Sequence, residues 1–263
     1  MSLEQRLARD MSRAILDHRL IASGDRILVG MSGGKDSYAL YTLLERLQRR
    51  APVDFELVAV HVDQKQPGYD GARLREWLGA HTREWHIVEE DTYSIVTGIV
   101  AEGKTYCALC SRLRRGILYR VAGELRCNKI ALGHHRDDTL ETLLLNLFFA
   151  GKMAAMPAKL TNDAGTCEVI RPLIYCAEPD LAAFAREQEY PIMPCNLCGS
   201  QSQAQRKQMK ALLSDMEAKH PSLKANMMAA LGNIRPTQLL DRGVVRTDAR
   251  AQPGEVAEAS DVL

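Results

Sequence analysis

Net charge is nearly absent from this chain of 263 residues: 34 Lys and Arg face 33 Asp and Glu, leaving +1 at neutral pH. Whole-molecule attraction to a polyanion is thereby excluded, so any nucleic-acid binding has to come from local basic patches. Long apolar runs are missing as well. The longest, residues 143–150, is interrupted by Asn146 and falls far short of the roughly 20 residues a bilayer span needs. The N-terminus carries charges throughout and lacks the apolar core of a signal peptide. No internal repeat is visible. These absences point to a cytoplasmic globular protein without a membrane anchor, and a composition of 46% hydrophobic and 25% charged residues agrees. A chain of this length buries roughly 70–75% of its unfolded surface, enough for a core without disulfide help. Seven cysteines in such a compartment argue for a ligand or redox role rather than a disulfide framework.

What is present is an alternation of strand and helix signals. Leu3, Leu7, Met11 and Ile15 form one apolar stripe of an N-terminal helix. Residues 26–30 read as a buried strand, 38–47 as a helix, 55–63 as a second strand and 83–88 as a third. Residues 110–125 are helical by pattern, with Leu113, Ile117 and Val121 along one face. Another strand is expected at 129–134 and a helix at 138–149. Residues 156–160 and 167–173 look like a hairpin closed by Asn162, Asp163, Ala164 and Gly165. Helices follow at 179–188, 202–219 and 221–231; periodicity is lost from about residue 241, and 253–263 reads as disordered. The pattern indicates an α/β fold whose parallel sheet is covered on both faces and binds ligand at the carboxyl ends of its strands.

Ser32-Gly33-Gly34-Lys35-Asp36-Ser37 sits between the first strand and the first interior helix. Adjacent glycines let the backbone approach a ligand and point successive N–H groups at an anion, and the helix adds its positive end. Lys35 can neutralise phosphate charge, and Ser32 and Ser37 offer hydroxyls. A Walker A loop is excluded, because Val29 stands where its first glycine belongs and Asp36 where its Ser or Thr belongs. SGGKDS resembles the signature of the PP-loop ATP pyrophosphatases, which cleave ATP between the α and β phosphates. Gly133-His134-His135-Arg136-Asp137-Asp138 resembles the second motif of that superfamily. The likeness implies that Asp138 positions Mg²⁺ or the nucleotide; Asp138-Thr139-Leu140-Glu141 also fits a helix capping box. His134 and His135 fit strand-end packing as well as chemistry.

Four cysteines form two C-x-x-C pairs, Cys107/Cys110 and Cys195/Cys198. Two cysteines at this spacing can grip one metal from a tight turn, and thiolates suit zinc and iron–sulfur centres. By spacing alone a closed zinc site, an iron–sulfur cluster and a redox disulfide relay all remain open. Cys127, Cys167 and Cys176 stand in apolar contexts and read as small core residues.

The segments DQKQPG (63–68), CALCSRLRRG (107–116), ALGHHRDD (131–138) and PCNLCGS (194–200), with the loop, resemble the tRNA 2-thiocytidine synthetase (TtcA) family from about residue 26 to about 210. The resemblance implies a Rossmann-like PP-loop fold of the adenine nucleotide α-hydrolase type with helical N- and C-terminal additions. The expected division is an N-terminal helix (1–25), a catalytic domain with the iron–sulfur site (26–200), C-terminal helices (201–240) and a tail (241–263). It also implies a 4Fe–4S cluster on Cys107, Cys110 and Cys198 with one iron open, Cys195 being left undecided. Lys35, Asp36 and Asp138 become the catalytic residues, with ATP and Mg²⁺ at the loop. The reaction implied is ATP-dependent conversion of a tRNA anticodon-loop cytidine, position 32, to 2-thiocytidine. The oxygen O2 is adenylated and then replaced by sulfur from a donor such as a cysteine desulfurase, and a homodimer is expected. Arg112 and Arg115, three apart on a helix, are the expected tRNA contacts, although a solvated helix face would look the same. Arg206, Lys207, Lys210, Lys219 and Lys224 form a second basic region. The rival readings are another PP-loop tRNA-modifying enzyme with a different nucleophile and a zinc-stapled RNA-binding protein.

Overall fold

The computed structural model describes residues 1–99, 107–193 and 201–240. Its strands are β1 (Asp25–Gly30), β2 (Phe55–Asp63), β3 (Trp85–Glu89), β4 (Lys129–Ala131), β5 (Lys159–Thr161) and β6 (Glu168–Ile170). They form one sheet in the order β3-β2-β1-β4-β6-β5. Only β5, the edge strand paired to β6, runs antiparallel. β1 is central, and its Ile27, Leu28 and Val29 are fully buried, because a strand covered on both faces needs a continuous apolar run. β2 has the bounds its sequence predicts. β4 is shorter than predicted: it ends at Ala131, Leu132 N makes a last bond to Ile170 O (3.0 Å), and residues 133–135 leave the sheet, Gly133 lying against the backbone of Asp36. The β5–β6 hairpin forms where predicted, but with strands shorter than the expected 156–160 and 167–173. Asn162 Oδ1 accepts from the N–H groups of Thr166 (2.9 Å) and Cys167 (3.2 Å), and Gly165 supplies a positive φ.

Helices α1 (Leu3–Asp17), α2 (Lys35–Gln48), α3 (Ala72–His81) and α7 (Glu178–Glu187) cover one face of the sheet, packing on Ile27, Val29, Ala59 and Ile170. α1 forms on the predicted stripe, with Leu7, Met11 and Ile15 buried, and opens with a capping box between Ser2 and Gln5. The other face is covered by α5 (Cys107–Glu124), whose Ile117 and Val121 meet Leu28, Val60 and Val169. α4 (Thr92–Ile99) precedes it. α6 (Arg136–Leu145) runs into a π-helical turn (Asn146–Ala150), so the predicted 138–149 helix changes its hydrogen-bond register near its end. α8 (Gln201–Lys219) and α9 (Leu223–Leu231) close a third cluster on α6 through Leu140, Leu144, Met209 and Leu213. α3 and α4 are absent from the sequence reading. Cys127, Cys167 and Cys176 are buried free thiols, as expected. The predicted tail beyond residue 241 lies outside the described residues. Among the described helices none is long and apolar enough to cross a membrane.

Candidate functional site

The strand order reverses beside β1: β2 and β3 lie on one side, β4 and β6 on the other. Such a switch point opens a crevice beyond the carboxyl ends of the strands, and both sequence motifs lead into it. Residues 31–34 make the whole connection from β1 to α2. Gly33 has φ +78°, where any other residue is strained, and a Cβ there would also have to push aside the tip of Met193, 2.2 Å away at Cε. Gly34 is the N-cap of α2 and brings no capping side chain, which leaves the first N–H groups of the helix open to an anion. The serine hydroxyls brace the loop itself. Ser37 Oγ donates to Gly34 O (2.8 Å), and Ser32 Oγ accepts from Gly34 N (3.3 Å). Beneath the loop, buried His61 donates from Nδ1 to Met31 O (2.7 Å) and accepts from Tyr69 Oη at Nε2 (2.5 Å). That fixes a neutral tautomer, in keeping with the low pKa that burial imposes on it.

The second motif meets the loop through Gly133. A Cβ there would lie 3.0 Å from Asp36 C and O, backbone atoms that cannot yield. His135 caps α6: its Nδ1 accepts from Asp138 N (3.3 Å), while Asp138 Oδ2 accepts from His135 N (3.0 Å). The capping box therefore starts at His135, three residues before the position expected for it, and Asp138 closes the box rather than opening it. The register moved because β4 ends early and the turn enters the helix sooner. His135 Nε2 stands 3.9 Å from Asp36 Oδ1, joining the two motifs.

Charges from α7 and α8 complete the crevice. Lys35 Nζ lies 2.9 Å from Asp36 Oδ2 and 3.4 Å from Glu178 Oε1. Burial opposes its charge, but these two carboxylates outweigh that and hold its pKa above the usual lysine value. Lys210 also binds Glu178 (2.6 Å), Arg206 reaches Asp138 (3.8 Å) and Glu141 (3.6 Å), and buried Lys224 binds Asp137 and Glu217 (2.8 Å each). Three members of the expected second basic region are thus spent on carboxylates; Lys207 and Lys219 are exposed. Burial, and then Asp138, raise the Glu141 carboxyl to about 7. Burial, and then Arg171, lower His134 to about 4.

Among the described residues no group of three His, Cys, Asp or Glu side chains could hold a metal unaided. Asp36 Oδ1, however, is buried without a hydrogen-bond partner among those residues. A carboxylate oxygen open beside a phosphate loop fits Mg²⁺, which takes one or two carboxylates and completes its shell with phosphate and water.

Cys107 and Cys110 lie in the first turn of α5, where backbone spacing puts them on one side of the helix; their side chains, and all of Cys195 and Cys198, lie outside the described residues. Arg112 and Arg115 are exposed on the next turn. The chain leading to the second C-x-x-C pair is stitched to the loop region. Met193 N donates to Gly33 O (3.0 Å), Tyr190 Oη to Thr42 Oγ1 (2.8 Å) and Tyr38 Oη to Pro191 O (3.3 Å).

Glu178 and Arg171 were not singled out from sequence. The Glu178-Pro179 pair marks a helix start, and Arg171 directly follows a strand, where ligands gather in such sheets; neither signal tells which charges they meet.

A PP-loop domain family matches residues 3–194. The chain is 57% identical to the tRNA-cytidine(32) 2-sulfurtransferase of Sorangium cellulosum (strain So ce56), covering 100% of this chain and 96% of that protein. It is 58% identical to the tRNA-cytidine(32) 2-sulfurtransferase of Paracidovorax citrulli (strain AAC00-1), over 91% and 77% of the two chains. Among solved structures the fold is similar to that of the U34-tRNA thiolase NcsA from Methanococcus maripaludis with its 4Fe–4S cluster. That match has a TM-score of 0.68 and 22% identity, and covers 93% of this chain and 78% of the other.

Proposed function

The chain belongs to the tRNA-cytidine(32) 2-sulfurtransferases, and from that membership we propose how its residues divide the reaction. It is an ATP-dependent enzyme that thiolates cytidine in tRNA. The observation that carries the division of labour is the contact of the two motifs, Gly133 against the backbone of Asp36, at the switch point of the sheet. Cytosine O2 attacks the α-phosphorus of ATP, forming an O–P bond as pyrophosphate leaves. Sulfur at the sulfide level, reached from a persulfide donor by two electrons from an external thiol reductant, then bonds to C2 and AMP departs with the oxygen, so a poor leaving group has become a good one. The open N–H groups of α2, with Lys35, Ser32, Gly33, Gly34 and Ser37, hold the pyrophosphate moiety. Lys35 exchanges its carboxylate contacts for phosphate oxygens. Asp36 and Asp138 would hold Mg²⁺, which would supply charge neutralisation for the pyrophosphate.

Cys107, Cys110 and Cys198 hold a 4Fe–4S cluster. Three thiols fit such a cluster and fit magnesium poorly, and the positive end of α5 favours the thiolate form at its first turn. Met193, five positions before Cys198, is fastened to the loop, so chain length alone tethers that cysteine to the ATP site. When bound, the cluster would supply a Lewis-acidic centre with affinity for sulfur. Arg112 and Arg115 face solvent one turn beyond the cysteines and take tRNA phosphates. A cysteine desulfurase supplies the sulfur, the enzyme works in the cytoplasm as a homodimer, and residues 241–263 form a tail outside the catalytic domain.

Anaerobic purification with metal analysis and Mössbauer spectroscopy tests the cluster. Iron and acid-labile sulfide in equal amounts, reduced in Cys107→Ala, Cys110→Ala and Cys198→Ala, are the expected result. Stoichiometric zinc without iron would overturn the assignment and favour the zinc-stapled alternative.

A further inference from the structure

We propose that Arg171 and Arg115 form a clamp for one phosphodiester of the RNA backbone beside the target nucleotide. The proposal rests on the RNA-thiolation reading and extends it to a residue outside both motifs. Arg171 follows β6 and is only 9% exposed, yet among the described residues it has no carboxylate partner. Nη1 donates to Pro157 O (2.7 Å), which orients the guanidinium. Nε is buried and unpartnered among the described residues. A buried cation left in this condition is costly unless an anion joins it.

One neighbour is a second cation. Arg115 on α5 adds to the effect of burial in disfavouring its charge, Tyr119 and then Asp138 oppose that, and among the described residues neither pairs with it; His134, neutral in the turn after β4, senses its charge in return. His134 Nδ1 is likewise buried and unpartnered. Arg115 is exposed, so an anion can approach this buried charge from solvent. Two guanidinia sharing one anion call for a ligand with several oxygens, and phosphate suits that geometry. Nucleotide phosphates have their own seat at the loop after β1. Arg171 follows β6, two strands away across β4, or roughly 10 Å along the sheet. That offset suits a chain lying across the strand ends with one base turned into the crevice.

The test is fluorescence anisotropy of an unmodified anticodon stem-loop with the full chain, without ATP, at several salt concentrations. Arg171→Met should bind about tenfold more weakly, the scale of one charge-assisted hydrogen bond. Its log–log salt slope should shrink by about 0.7, one phosphate of a single strand, while ATP affinity stays unchanged. Intact RNA binding in a folded Arg171→Met chain would overturn the proposal; so would weakened ATP binding with RNA binding unchanged, which would hand the anion to the nucleotide. Should that variant not fold, RNAs carrying one neutral methylphosphonate linkage keep the question open to decision. One loop position should cost the wild type about tenfold and cost Arg115→Met little, and no such position would overturn the clamp. Wild-type protein that binds no stem-loop at all would remove the parent reading instead.

Discussion

The amino ends of β1, β2 and β3 carry Arg26, Glu56 and Glu84, and the arginine binds both glutamates, reaching Glu84 at 2.6 Å. Beside them Lys129 is buried against Asp25 at 2.7 Å. A cavity of about 420 Å³ opens here, lined by Arg26, Glu45, Gln48, Arg49 and Glu84 among others. At the carboxyl ends of the same sheet, Asp36 Oδ1, His134 Nδ1 and Arg171 Nε are buried and unpartnered among the described residues. Both ends are rich in charge, and the larger opening belongs to the matched one. Cavity size therefore does not locate the chemistry; the gathering of unmatched polar atoms at one end of the sheet points to it, because a ligand can complete several of them at once.

The sharpest break between the two ends is catalytic. Lys35→Ala or Asp36→Ala should lower thiolation in a reconstituted assay by 10²-fold or more, the scale of losing one preorganised charge at a transition state, with stem-loop affinity unchanged. Retained turnover in both would dissolve the contrast.

At the matched end the effect should fall on stability. Lys129→Met strands a buried carboxylate and is expected to cost about 3–5 kcal/mol in urea unfolding, with thiolation per folded molecule unchanged. Burial alone would raise the Asp25 pKa, but hydrogen bonds from Lys129, the Ala22 N–H and Asn128 outweigh it and hold it low. The stability this provides is present above the unfolded pKa and fades as pH falls below about 4. Wild type should lose that increment in acid and Lys129→Met should not.

Glu141 sharpens the contrast from the other side. Its folded pKa of about 7 lies above the ordinary 4.5, so the folded chain binds the extra proton and stability falls as pH rises through that window. Glu141→Gln should stabilise the ligand-free protein by about 3 kcal/mol at most at pH 8 and leave it unchanged at pH 4, read as melting temperature against pH. A wild-type profile flat between pH 5 and 8 would contradict this. The smallest effect belongs to Arg26→Met, whose part-exposed pairs should be worth about 1 kcal/mol or less.

The sheet was legible because β1 and β2 are continuous apolar runs, and the loop was legible because SGGKDS is a compact local motif. α3 was not, since it buries only Leu74, Trp77 and Leu78. α4 was not, since its Thr, Ile and Val favour strands and only Thr92 and Val96 are buried. The wider site was harder for a different reason. Glu178 faces Lys35 across more than half the chain, and Arg206, Lys210 and Lys224 look like free cations until α6 and α7 bring acids to them. Local spacing reports motifs; it does not report which charges the fold cancels. The same limit shifted the α6 cap from Asp138 to His135, because the cap depends on where β4 ends.

Mass spectrometry of tRNA nucleosides tests the thiolation assignment most directly, using cells lacking this protein and the same cells complemented with wild type or Asp36→Ala. The expected result is loss of 2-thiocytidine, restored by wild type and not by the variant. Undiminished 2-thiocytidine in the deletion would contradict it.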